Sequence, residues 1–129
     1  MRRVRIAAGD VSATAVLNDS RTAEAVWAEL PLSQRGNTWG DEIYFGIPVR
    51  LGEEDGREVV EMGDLGYWPP GHALCIFFGP TPASLGNEIR PASAVNVFGR
   101  VEGDATVFRQ VADGAVVTVE KLEDCGTVE

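Results

Sequence analysis

Histidine is almost missing from this chain, with only His72 among 129 residues. That removes His-pair metal motifs and any conventional zinc site built from His and Cys at ligand spacing, so no metal is expected. Cysteine is nearly as scarce. Two residues do not make a disulfide framework, although a bridge between Cys75 and Cys125 stays open at this level. Cys75 sits in the apolar run Ala73–Phe78, where a free thiol behaves as a small hydrophobe. There is no Gly-x-Ser-x-Gly elbow and no glycine-rich phosphate loop ending in Lys-Ser/Thr. No organic cofactor is called for.

Positive charge is also short. Eleven basic side chains face 20 acidic ones, a net charge of -9 that repels phosphate backbones and anionic headgroups. Nucleic acid and membrane surfaces are therefore excluded as expected partners. The one basic cluster, Arg2, Arg3 and Arg5, alternates with Val4 and Ile6, like the solvent side of a strand. No apolar stretch approaches a membrane span, and the charged start has no long hydrophobic segment behind it. The expected location is cytoplasmic. Adjacent acids such as Asp41-Glu42 are too common to argue for paired-carboxylate catalysis, and on a strand they would face opposite ways.

What is present is a β-rich pattern in a chain long enough for one domain, residues 1–129. Val4, Ile6 and Ala8 alternate up to Gly9-Asp10, and Val11, Ala13, Ala15 and Leu17 resume on one face, which predicts a hairpin. Asn18-Asp19-Ser20 then caps a helix of about ten residues carrying Ala23, Val26, Trp27 and Leu30, stopped by Pro31. Trp27 is read there as a core anchor. Leu32 to Leu51 reads as strands broken by glycine. Glu53 to Gly56 reads as a hairpin tip, with Arg57 to Met62 returning as a strand. Further strands are expected at Leu65–Tyr67, Ala73–Phe78, Val95–Val101 and Ala115–Leu122, and Asp104 caps a second short helix. About eight strands this short call for a closed barrel, which removes exposed edges.

Two segments concentrate aromatics among glycine and proline: Trp39 to Phe45, and Gly63 to His72. Such a mixture fits a preformed apolar pocket with a few polar handles. It equally fits barrel filling by Trp39, Tyr44 and Phe45, with Trp68 and the prolines closing one end. A lone histidine in a Pro-Gly loop is expected to be accessible and easily tuned near neutral pH.

The stretch Val95-Asn96-Val97-Phe98-Gly99-Arg100-Val101 resembles the Val-Phe-Gly-Lys-Val strand of cyclophilins. A helix and Val117-Thr118-Val119 follow it, and Asp124-Cys125-Gly126 is similar to a common cyclophilin ending. Gly63 to Tyr67 and Ile76-Phe77-Phe78 resemble that family's central strands. Gly-Asp-Glu-Ile-Tyr-Phe, Tyr-Trp-Pro-Pro-Gly-x-Ala-Leu-Cys and Phe-Phe-Gly-Pro-Thr-Pro look like a family of short bacterial and archaeal proteins with a minimal cyclophilin fold. The resemblance implies a mainly β, closed cyclophilin-like barrel with two short helices.

It also implies where catalysis would sit. Cyclophilins lower the barrier to X–Pro rotation chiefly with an arginine aimed at the prolyl amide, favouring the twisted state. Here Phe45 falls in the place of that arginine, Glu53 near the glutamine, Arg90 near the tryptophan and Val95 at the histidine. Phe78 alone appears in the hydrophobic proline pocket. Arg35, Arg50 or Arg90 could reach the pocket from elsewhere. The expectation is a binding module for a small molecule or peptide, with Tyr44, Phe45, Tyr67, Trp68, His72, Phe78 and Arg90 as ligand-binding residues and no catalytic residue assigned. Alternatives are a weak proline isomerase, an enzyme using His72 with Asp41 or Glu42, and an interaction subunit such as a homodimer.

Overall fold

The computed structural model describes residues 2–122, and the Asp124-Cys125-Gly126 ending lies outside them. The hairpin forms as the alternation predicts. β1 (Arg3–Ala8) pairs with β2 (Val11–Leu17) through Ala8↔Val11, and Gly9 takes the positive φ of 58° that the two-residue turn demands. α1 (Arg21–Glu29) starts at Ser20, whose hydroxyl accepts from the Ala23 amide at 3.0 Å. A second cap comes from a distant loop: the Arg21 and Thr22 amides donate to the Glu54 carboxylate at 3.0 and 2.9 Å. The resulting hydrogen bonds hold the Glu54 carboxyl below its ordinary range.

β3 (Leu32–Arg35), β4 (Asn37–Thr38), β5 (Glu42–Gly46), β6 (Asp64–Trp68), β7 (Ala73–Phe77), β8 (Asn96–Val101) and β9 (Val116–Lys121) complete a nine-stranded sheet. Its order is β3-β9-β1-β2-β8-β6-β7-β5-β4, with antiparallel neighbours throughout. The two ends of that order, β3 and β4, are consecutive in the chain and separated only by Gly36. One length of backbone therefore leaves β9 and joins β5, and the sheet curls into a nearly closed barrel. Gly36 anchors the crossing by donating to Ala115 O and accepting from Gly114 N, both at 2.8 Å. A Cβ there would stand 2.9 Å from a Val117 methyl and 3.0 Å from an Ile43 methyl, so only glycine fits without displacement.

The barrel interior is filled by Ile6, Ile43, Phe45, Leu65, Tyr67, Leu74, Ile76 and Phe98, with Phe78 packing on Phe108 at 6.1 Å between ring centres. A second, smaller apolar cluster lies on the opposite face of the same strands: Ala73, Cys75 and Phe77 with Val60, Ile89 and Val95. β7 is thus buried on both faces, because the segment after it folds back across the outside of the barrel.

Three details differ from the sequence expectation. Arg57 to Met62 is not a strand. It makes only the isolated bridges Arg57↔Val95 and Val60↔Ile89, because its partner is the irregular covering segment and not a sheet edge. Trp27 is half-buried at the core margin, with the Arg2 guanidinium 5.5 Å and the Lys121 ammonium 4.9 Å from its ring. The second helix is a 3-10 segment, Ala105–Gln110, capped by Asp104 as expected.

Candidate functional site

The β4–β5 connection is a tight turn. Trp39 donates its amide to Glu42 O at 2.9 Å, and Gly40 adopts φ 61° beneath Pro80, Thr81 and Pro82. The turn commits the two acids to different surroundings. Asp41 turns toward Gly79 and meets Arg109 at 3.3 Å, while Glu42 faces the outer cluster beside Trp39. Strand alternation then puts Tyr44 on the same face as Glu42 and sends Ile43 and Phe45 into the barrel. Across the ladder Tyr44 pairs with Cys75, and Trp68 pairs with Ala73.

The covering segment supplies the remaining wall. Thr81 and Ser84 bind each other's backbone and side chains, Ser84 Oγ accepts from the Arg90 amide at 3.2 Å, and the Thr81 hydroxyl donates to Arg90 O. These bonds set Pro91, Ala92 and Val95 over the strands. The Trp68 indole N–H donates to Ser93 Oγ at 2.7 Å, tying wall to wall. Between them is a cleft of about 280 Å³ lined by Trp39, Glu42, Tyr44, Trp68, Cys75, Pro91, Ala92 and Val95. A wider groove of about 670 Å³ runs past Arg2, Asn18, Asp19, Ser20 and Glu24. Its polar groups already bind one another, as in the 2.6 Å bond from Ser20 Oγ to Asn18 Oδ1.

Glu42 gives the smaller cleft its chemistry. The residue is 5% exposed, and its Oε1 is buried without a hydrogen-bond partner. Burial disfavours the ionised form and pushes the carboxyl up to about 7, against a smaller opposing effect of the neighbouring Cys75 thiol. The same burial and the carboxylate beside it hold the Cys75 thiol well above its ordinary range. Cys75 is therefore a neutral donor, with none of the thiolate character a nucleophile needs.

Of the seven residues expected from the sequence, the structure brings Tyr44 and Trp68 to this cleft. Phe45 and Tyr67 lie in the barrel core, on the other face of their strands, and Phe78, just past the end of β7, lies in the same core. His72 stands at the far end of β7 with φ 49°, its Nε2 3.4 Å from Arg50 Nη1 and its Nδ1 3.3 Å from the Tyr67 hydroxyl. That hydroxyl donates to Val49 O at 2.6 Å, so the group braces a barrel end. Phe77, the partner of Glu42, is five residues beyond His72, roughly 16 Å at strand rise, so the structure does not bring His72 together with Asp41 or Glu42. Arg90 pairs with Glu88 at 3.4 Å and does not line the cleft, nor do Arg35 and Arg50. Trp39, Glu42 and Cys75 were missing from the expected set. The signal available for Glu42 was its position two residues before Tyr44 on one strand.

The chain matches the family model described as cyclophilin-like over residues 2–120. Among solved structures it is similar to the solution structure of a hypothetical protein from Archaeoglobus fulgidus, at 42% identity and a TM-score of 0.79, covering 94% of this chain and 95% of that one. No curated protein matches it.

Proposed function

The chain belongs to the cyclophilin-like family, and we propose that it is a binding module that takes a small molecule in the Trp39–Glu42–Trp68 cleft, without proline-isomerase chemistry. The observation that carries this reading is the Glu42 carboxyl, buried with an unpartnered oxygen at the foot of an otherwise apolar, aromatic recess. Leaving a buried polar atom unpaired costs about 1–3 kcal/mol, a cost that a bound ligand with a matching group removes. The volume lies just under the range of about 300–1,000 Å³ usual for drug-sized ligands, which favours a compact molecule over an extended peptide.

The case against isomerase chemistry is that the cleft lining holds no cationic donor for a prolyl nitrogen. A fluorescence titration with a fragment set, read on Trp39 and Trp68, is expected to give saturable quenching that Trp39→Leu and Trp68→Leu weaken. An assay on a short Ala-Pro peptide is expected to show only the uncatalysed rate. Acceleration of that peptide by the wild type, lost in cleft variants, would replace this reading with the enzyme.

A further inference from the structure

The cleft combines three aromatic walls, Trp39, Tyr44 and Trp68, with one buried acid whose Oε1 lacks a donor. Aromatic faces carry negative potential and attract cations, and the attraction grows when water is excluded. The acid, when ionised, adds a negative charge that no cation among the lining residues offsets. Besides Glu42, the titratable side chains lining the cleft are Tyr44 and Cys75, and burial holds the Cys75 thiol well above its ordinary range. From the covering segment, Glu88 and Arg90 pair with each other at 3.4 Å, and from the β4–β5 turn Asp41 is engaged by Arg109 at 3.3 Å. The net charge of -9 draws cations toward the whole molecule.

We infer that the ligand is a small organic ammonium ion, its charged nitrogen paired with the Glu42 carboxylate and its hydrocarbon part enclosed by Trp39, Tyr44 and Trp68. This rests on the binding reading above and names the ligand class of that site. A neutral carbonyl compound could accept from a protonated Glu42, but it would leave the aromatic faces and the acidic field without a role. An ammonium ion uses all three.

Three probes of one shape separate these cases: cyclohexylmethylammonium, cyclohexylmethanol and cyclohexanecarboxylate, titrated by calorimetry and tryptophan fluorescence. At pH 8 the ammonium is expected to bind about tenfold or more tightly than the alcohol, with the carboxylate weakest. Glu42→Gln is expected to erase that preference. In the wild type, lowering the pH to 5.5 should weaken the ammonium and leave the alcohol unchanged, a test that needs no variant to fold. Equal or tighter binding of the alcohol, or an ammonium affinity indifferent to both pH and Glu42→Gln, overturns the inference while the binding module stands. If none of the three probes binds at millimolar concentration, the inference falls and the small-molecule reading of the cleft falls with it.

Discussion

Tyr44 and Phe45 are neighbours on β5 that serve opposite faces of the sheet: Tyr44 lines the outer cleft, and Phe45, 1% exposed, is packed inside the barrel. Phe45 is the position that the cyclophilin resemblance sets at the catalytic arginine. Phe45→Arg would therefore carry a charge into the core and would not reach a substrate on the outside. Loss of the ring alone costs about 3–5 kcal/mol, and an unpaired buried charge adds several more, against a typical total of about 5–15. The variant is expected to lose its cooperative thermal transition by circular dichroism and to gain no isomerase activity. A folded, active Phe45→Arg protein would mean that the strand presents this residue outward.

The Glu42 carboxyl makes a pH signature that opposes the usual one. Its native value is raised from an ordinary 4.5 to about 7, so between those values the unfolded chain has released a proton that the native protein still holds. Stability from this group therefore falls as pH rises from about 4.5 to about 7, by about 3 kcal/mol in all, and is level above that. Glu54, Glu88, Glu102 and Asp104, whose carboxyls are lowered by hydrogen bonds, act in the other direction: their contribution is present at neutral pH and lost on acidification. Those groups are common to wild type and Glu42→Gln, so the difference between the two proteins isolates Glu42. Urea unfolding should show the variant about equal at pH 4 and more stable by about 3 kcal/mol at pH 8. A constant difference across this range would place the native carboxyl at its ordinary value.

The strands and their faces were legible in the sequence because alternation is a local property. Val4, Ile6 and Ala8 declare one buried face, and Ser20 with Ala23, Val26 and Leu30 declares a capped helix. What alternation could not convey is that β5 and β7 are covered on both sides. Ala73 to Phe77 is apolar at every position, so nothing local distinguishes the residues of the barrel from those of the cleft. Tyr44 was found as an aromatic in a glycine-rich setting, and Phe45 was grouped with it for the same reason. Glu42 looked like half of a commonplace acidic pair. Its character comes from Pro91, Ala92 and Val95, residues some fifty positions away that arrive only with the covering segment.

His72 invites a catalytic role by being alone, yet its neighbours are Arg50 and Tyr67 at a barrel end. His72→Ala is expected to leave binding in the cleft unchanged to within about twofold, since the site shares no partner with it. Its own cost should be small, because Tyr67 keeps its bond to Val49 O at 2.6 Å. The position has φ 49°, a left-handed conformation that costs Ala, like the His it replaces, roughly 1–2 kcal/mol relative to Gly, so His72→Gly should be the more stable of the two. Titration of both variants with the ammonium probe decides the matter. A large loss of affinity common to both would bring His72 into the site.

Gly36 is the point at which the barrel closes, and its lack of a side chain can be tested by a double-mutant cycle. In Gly36→Ala the new methyl must displace the Val117 and Ile43 methyls that stand 2.9 and 3.0 Å from it, and such overpacking costs about 1–3 kcal/mol. Val117→Ala leaves a cavity at the same place, because Val117 is fully buried on β9. Combined, the added methyl occupies part of that cavity. The double variant is then expected to be more stable than the sum of the two single losses predicts, by about 0.5–3 kcal/mol in urea unfolding. Strict additivity would mean that the Leu32–Thr38 backbone shifts to relieve the contact and that the closure does not depend on glycine.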